Sequence, residues 1–321
     1  MVLDALDSVG IRGDGRLIAL NSYENRVYLV HLEEGDAIVV KFYRPRRWTD
    51  RQIDEEHAFV AELAGDEIPA VAPLRLGGQM LHWHEGFRFA VYPRRGGRAP
   101  ELDSPGVLEW IGRFIARIHL VGERSSFAHR PSISVATLGT ESRDALLASG
   151  RIGPELESTW RAVADQALAM AQSMINEAGA VRHLRLHGDC HPGNLLWTES
   201  GPHFVDFDDA RMGPAVQDLW MLLSGEHAER SQHLARLLAG YRQVRSFDAR
   251  ELALIEPLRT LRLIHYSAWI ARRWDDPAFP AAFPWFGTPR YWQERVAELH
   301  EQIEAMAEPP IAPGEDAVGL L

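Results

Sequence analysis

The apolar and polar positions of this 321-residue chain change rhythm once, near residue 93. Before that point the pattern is mainly that of strands. Arg16-Leu17-Ile18-Ala19-Leu20 leads into Asn21-Ser22-Tyr23-Glu24-Asn25, and Arg26–Leu32 and Ala37–Tyr43 flank the turn Glu33-Glu34-Gly35-Asp36, which predicts a hairpin. Thr49 or Asp50 caps a predicted helix running to about Leu63, with Ile53, His57, Val60 and Leu63 near one face. A further strand pair is expected around Leu74–His82 and Phe87–Tyr92.

Pro93-Arg94-Arg95-Gly96-Gly97-Arg98-Ala99-Pro100 breaks the pattern, and helical periodicity dominates afterwards. Ser104-Pro105 reads as an N-cap and first-turn proline for a helix that buries Leu108, Ile111, Ile115 and Ile118. Pro154–Gly179 places Leu156, Trp160, Val163, Ala167, Met170 and Met174 on one stripe. Further helices are expected over Gln217–Leu223, Arg230–Val244, Ala249–Trp274 and Pro289–Ala307, with a loose tail after Pro309. The expected architecture is α+β and two-lobed, with a β-rich part over 1–92, a hinge over 93–100 and a helical part over 101–321.

Composition changes this picture little. Hydrophobic residues make up 46% of the chain, enough for more than one compact core. The net charge of -11 speaks against a nucleic-acid-binding protein. No apolar run is long enough to span a membrane and no basic-then-apolar leader opens the chain, so a cytoplasmic monomer is the expectation. Cys190 is the only cysteine, which excludes an intrachain disulfide and a multi-thiolate zinc site; it reads as a small packed residue. The basic stretch Lys41–Arg51 reads as a solvated loop.

Candidate chemistry lies in His187-Gly188-Asp189-Cys190-His191-Pro192-Gly193-Asn194 and, after an apolar approach, in Asp206-Phe207-Asp208-Asp209. Phosphoryl transfer needs an oriented hydroxyl, a metal held against phosphates, and stabilised charge. Asp189 and Asn194, five residues apart, supply a hydroxyl-orienting carboxylate and a neutral oxygen ligand on one loop. Asp206 supplies an anionic ligand on a turn after a strand, and magnesium suits such a sparse oxygen set. Either half alone would be an ordinary turn or acidic loop; in this order they form a site. A Walker A loop and a G-x-S-x-G elbow are absent, and His187, Cys190 and His191 lack the second cysteine of a haem motif.

Leu186-His187-Gly188-Asp189…Asn194 and Val205-Asp206-Phe207-Asp208 resemble the aminoglycoside phosphotransferase and choline kinase superfamily, relatives of the protein kinases. Asn21–Tyr28, Val40–Pro45 and Asp206–Leu223 narrow the resemblance to its bacterial stress-response serine/threonine kinases, over about residues 15–290. The resemblance implies a protein kinase-like bilobal fold and an ATP- and Mg2+-dependent transfer to a hydroxyl. The acceptor it implies is serine or threonine of a protein; a small-molecule alcohol, sugar or antibiotic is the alternative. It implies Asp189 as catalytic carboxylate and Asn194 and Asp206 as metal ligands, with Asp206 also in catalysis. Lys41 would reach the α- and β-phosphates, paired with Glu56 or else Glu55. Ser22 would donate to phosphate from a loop that lacks the glycine-rich pattern, and the hinge around Val91, Tyr92 and Pro93 would dock adenine. Gly188 stands where regulated protein kinases carry arginine, and only eleven residues separate Asp206 from Asp218. Acceptor recognition is therefore expected from the segment around 130–180 and the C-terminal helices, and Asp218 is expected to support the catalytic loop. Arg262, His265, Tyr266 and Trp269 share a helical face, expected to be core with some cleft lining.

Overall fold

A computed structural model describes residues 1–314. The first element is a helix the sequence pattern does not signal, α1 (Val2–Asp7), too short for periodicity to register. It is followed by β1 (Gly13–Leu20), β2 (Arg26–Leu32), β3 (Ile38–Phe42), α2 (Asp50–Gly65), β4 (His82–His84) and β5 (Phe87–Pro93). The five strands form one antiparallel sheet in the order β1-β2-β3-β5-β4. The predicted hairpin is β2–β3, and Thr49 caps α2 by accepting from Gln52 N. Only the end of the expected Leu74–His82 strand is extended pairing; Leu74–Leu81 is a loop with one bridge, closed by glycines 77 and 78 in left-handed backbone.

Alternation divides the sheet between two jobs. Val40, Phe42, Phe89 and Val91 point to a face covered by Val2, Ala5 and Leu6 of α1. Val39, Lys41, Ala90 and Tyr92 point to the opposite face: Val39 pairs with Tyr92 and Lys41 with Ala90 across β3–β5. This second face looks toward α2 and the cleft.

The helical part holds α3 (Val107–Gly122), a π-helical turn (Val135–Thr140), α4 (Glu141–Ser149) and α5 (Pro154–Ala178). Two small ribbons follow, β6 (Leu184–Leu186) with β9 (Arg211–Gly213) and β7 (Leu195–Thr198) with β8 (Gly201–Phe204). Then come α6 (Gln217–Trp220), α7 (His227–Arg242), α8 (Ile255–Ala271), α9 (Ala278–Ala282) and α10 (Pro289–Ala307). Ser104-Pro105 sits in a turn, and α3 starts later, after Gly106 in left-handed backbone. The expected Ala249–Trp274 helix is a 3-10 segment over Ala249–Leu254 joined to α8.

α3 and α7 pack backbone to backbone. A Cβ on Gly112 would stand 2.1 Å from Leu237 O, and one on Gly240 would stand 1.9 Å from Glu109 O. Leu108, Ile111, Ile115 and Ile118 are buried in the main cluster, which also takes Phe59, Val60 and Leu63 from α2. The helix α2, inserted between β3 and β4, is thus anchored in the helical core. A second cluster, with Trp160 against Trp292 at 5.8 Å, ties α5 to α8 and α10. The tail is docked as far as it is described: Ile311 is buried, and Ser231 Oγ donates to Ala312 O at 2.6 Å; the rest of the expected loose tail, 315–321, lies outside the described residues.

Candidate active site

β6, the turn 187–194 and β7 build the catalytic loop. Its backbone is held from behind by Asp218 of α6, whose carboxylate accepts from His187 N at 2.9 Å and Gly188 N at 2.8 Å. Asp218 is in turn oriented by His119 Nε2 at 3.1 Å, and His119 Nδ1 faces Tyr241 OH at 2.8 Å. Burial lowers the His119 pKa, in keeping with a neutral ring that donates on one side and accepts on the other. Val216 N, beside this support, donates to Glu251 Oε2 at 2.8 Å, and burial pushes the Glu251 carboxyl up to about 7.

Gly188 has φ +84, and a Cβ there would lie 2.2 Å from Asp209 O. The position where protein kinases carry arginine is closed here both by backbone conformation and by a neighbouring carbonyl. His187 Nε2 bonds Val205 O at 2.9 Å, and its ring lies 4.3 Å from Phe207, which meets Phe59 of α2. The catalytic-loop candidate, the turn at Asp206 and α2 are therefore one packed stack. Cys190 is fully buried, and burial raises its thiol pKa.

Asp189 and Asn194 meet at the loop's mouth. Asn194 Nδ2 donates to Asp189 O at 2.9 Å, which leaves its Oδ1 for another partner. Burial works to raise the Asp189 carboxyl, but the hydrogen bond with His191 and the Arg262 guanidinium outweigh it and hold it down at about 2. Asp206 sits at φ +59, a left-handed conformation uncommon for a residue with a Cβ, and its side chain is half exposed to the cleft. Lys41 Nζ reaches across from β3 to Asp206 Oδ1 at 3.1 Å and Asp208 Oδ1 at 3.0 Å.

That last contact corrects the expected lysine partner. Glu56 is buried nearby, but its nearest cation is Arg130 Nη1 at 3.6 Å, and burial lifts its carboxyl to about 7 against the pull of Lys41. Glu55 instead accepts from the backbone N–H groups of Ala128, His129 and Arg130. The basic stretch is also only partly a solvated loop. Arg47 bonds Asp208 and Asp209, and Arg44 bonds Asp276 at 2.8 Å, so Lys41, Arg44 and Arg47 are matched by carboxylates from distant segments, while Arg46 is exposed.

Two cavities meet here. One, of about 410 Å3, lies under the sheet between Val27, Val39, Lys41, Tyr92, Pro93 and Leu196. The other, of about 460 Å3, lies between the catalytic loop and α8, bounded by Asp189, Arg262, Tyr266 and Trp269. Asn21, Ser22, Gly193, Asn194 and Asp206 line both. Tyr92 turns its hydroxyl to Tyr43 at 3.0 Å, so it borders the first cavity with its ring and backbone. Ser22 Oγ accepts from Asn25 N, which tightens the loop that roofs both spaces.

Sequence reasoning gave no role at the site to Glu24 or Arg47, and no partner to Asp208, Asp209 or Arg262. Glu24 Oε2 accepts from Trp269 Nε1 at 2.6 Å and pairs with Arg273 at 2.7 Å, tying the loop to α8. Arg262 Nη1 donates to Asp189 Oδ1 at 2.6 Å. The available signal was complementary charge, a basic run at 44–47 and an acidic run at 206–209.

Among the described residues no helix is long and apolar enough to cross a membrane, and no group of three or more His, Cys, Asp or Glu is placed to hold a metal. Two solved structures share the fold. Amicoumacin kinase hAmiN, in complex with AMP-PNP, Ca2+ and Ami, superposes with a TM-score of 0.73 at 19% identity over 98% of this chain and 95% of that one. The microcompartment-associated aminopropanol kinase does so at 0.72 and 20%, over 95% of each. Stress response kinase A of Escherichia coli (strain K12) is 46% identical over 310 residues, 97% of this chain and 94% of that protein. Serine/threonine protein kinase RdoA of Salmonella typhimurium is 46% identical over 315 residues, with the same coverage. Residues 16–258 match the family described as phosphotransferase enzyme family. The α+β architecture, the paired loops and these relatives agree: the chain belongs to the phosphotransferase enzyme family and, within it, groups with stress response kinase A.

Proposed function

We propose that this kinase transfers the γ-phosphoryl group of ATP to a serine or threonine hydroxyl of a protein. The convergence of Lys41, Asp189, Asn194 and Asp206 on the seam between the two cavities carries the transfer; the name of the Salmonella relative carries the acceptor. Adenine would occupy the space under the sheet against the backbone of 91–93, with Ser22 and Lys41 at its phosphate end and Glu56 behind the lysine. Asp189, ionised far below neutral pH, would accept a hydrogen bond from the acceptor hydroxyl and aim its oxygen at the phosphorus.

Magnesium fits the donor set on one observation. Asn194 has its Nδ2 engaged and its Oδ1 free, and Asp206 offers a half-exposed carboxylate on the same seam. Two oxygens from the protein, with the rest from phosphate and water, suit this ion. When bound it would neutralise charge between the β- and γ-phosphates. All the named groups come from one chain, so a monomer suffices, and a need for ATP supports a cytoplasmic location.

A second reading, a small-molecule acceptor, is favoured by the enclosure of the acceptor cavity. Its roof is tied to α8 through Glu24, and Arg26 and Arg44 both reach Asp276 from the sheet side. Such a space suits a small molecule or a serine on an extended segment better than a broad protein surface. The test is labelled ATP with casein and, separately, a panel of small alcohols. Label in the protein that disappears in Asp189→Asn supports the first reading; label only in small molecules selects the second; none in either rejects both.

A further inference from the structure

Among the arginines that line the cavity, Arg262 is the most exposed and the least engaged. A guanidinium carries five N–H donors in a fixed fork. Arg262 uses one, on Asp189, and has no other hydrogen-bond or ion-pair partner among the described residues, while 44% of its side chain stays exposed. The other arginines nearby are buried deeper and held on carboxylates. Arg47 is shared by Glu24, Asp208 and Asp209, Arg211 is held by Asp209, and Arg273 lies on Glu24. One turn along α8, Tyr266, 38% exposed, stacks on Trp269 at 5.9 Å and 15°, giving an apolar wall beside the free donors.

We propose that Arg262 reads the acceptor: its free donors bind a carboxylate or phosphate that the acceptor carries next to the hydroxyl oriented by Asp189. This rests on the kinase reading of the site. The geometry supplies the reason. Any hydroxyl within hydrogen-bond reach of Asp189 lies beside Arg262, whose Nη1 is 2.6 Å from that carboxylate. A planar fork recognises a carboxylate or phosphate through paired, charge-assisted bonds, which an alcohol or an ammonium cannot provide. Two sources carry this chemistry, a small hydroxy acid and an acidic residue flanking a serine on an extended segment.

The test uses two matched pairs of acceptors with wild type, Arg262→Ala and Arg262→Lys. One pair is a heptapeptide with a single serine flanked by glutamates or by lysines; the other is L-homoserine and 3-amino-1-propanol, which differ by a carboxylate. The wild type is expected to favour the anionic member of at least one pair by about tenfold or more in kcat/KM. Arg262→Ala should lose that preference through the acceptor KM, and Arg262→Lys should restore part of it, with the KM for ATP within about twofold throughout. A merely structural role for Arg262 would not move the preference between acceptors. No preference in the wild type, a preference that survives Arg262→Ala, or a loss that falls on the ATP KM overturns the inference. With a non-hydrolysable ATP analogue bound, the same pairs are titrated by tryptophan fluorescence, which needs no turnover. Charge-blind or absent binding overturns the anion site even where transfer occurs. Charge-selective binding that Arg262→Ala abolishes upholds it, and the absence of transfer to any acceptor would then fall on the kinase reading alone.

Discussion

Lys41 Nζ lies 3.0 Å from Asp208 Oδ1, and this contact joins the central strand of the sheet to the loop that follows Asp206. Both groups are almost fully buried, and Arg47 approaches Asp208 from a second side. Burial alone would raise the Asp208 pKa; the two cations turn the shift downward. The lysine proposed to serve the phosphates is thus held by the helical part of the molecule as well as by its own sheet.

Lys41→Met removes one of two cations from Asp208 and leaves Arg47. The fold should survive with a loss of about 1–3 kcal/mol, less than for a buried charge left with no partner. The KM for ATP should rise at least about tenfold. Urea denaturation and steady-state kinetics read the two effects separately.

Asp189→Asn and Asp206→Asn should fail differently. The first should lower transfer by about 100- to 10,000-fold with nucleotide affinity kept, because it removes the carboxylate aimed at the acceptor hydroxyl. The second should weaken nucleotide binding in the presence of magnesium and have little effect in its absence. Calorimetric titration with and without the metal distinguishes them, and matching behaviour of the two variants would refute the division of roles.

Glu251 makes stability depend on pH. Its carboxyl is raised to about 7 in the folded chain, so the folded state holds a proton that the unfolded state has released. That contribution is full below about pH 4.5 and is lost as pH rises through 7. Glu251→Gln keeps an acceptor for Val216 N and should gain up to about 3 kcal/mol on wild type between pH 4.5 and pH 8. Thermal melts at the two pH values test it; a constant difference would refute the buried proton.

Gly112→Ala should destabilise by about 1–3 kcal/mol, the range for overpacking, since its Cβ meets a main-chain carbonyl that cannot rotate away. Gly65→Ala, where nothing lies within 4 Å, is the control and should be neutral or slightly stabilising.

Glu24→Ala should free the roof from Trp269 and Arg273. The acceptor KM should then rise and ATP hydrolysis by water should increase relative to transfer, as expected when a site loses its exclusion of water. The ratio of inorganic phosphate to phosphorylated acceptor is the readout.

Much of this was legible before the fold. The Arg26–Leu32 and Ala37–Tyr43 strands, the capped α2 and the Pro154 start of α5 follow from local pattern, which depends on neighbours in the chain. The Asp189, Asn194 and Asp206 loops were legible for the same reason, each being a short spacing with a chemical purpose. Lys41's true partners were not. Asp208 lies far along the chain, and charge pairing at that separation has no period to reveal it. The Arg262–Asp189 contact was hidden in another way, because the spacing of 262, 265, 266 and 269 describes a packed helix face equally well. Long-range electrostatics needs the fold first.

Gly188 leaves the catalytic loop with no empty seat. Where a protein kinase holds an arginine that waits for a phosphate, this chain has a backbone turn sealed by Asp209 O. Installing that arginine would require the neighbouring main chain to move before the side chain could be accommodated. The switch that a protein kinase builds on that arginine therefore has no anchor in this chain's catalytic loop.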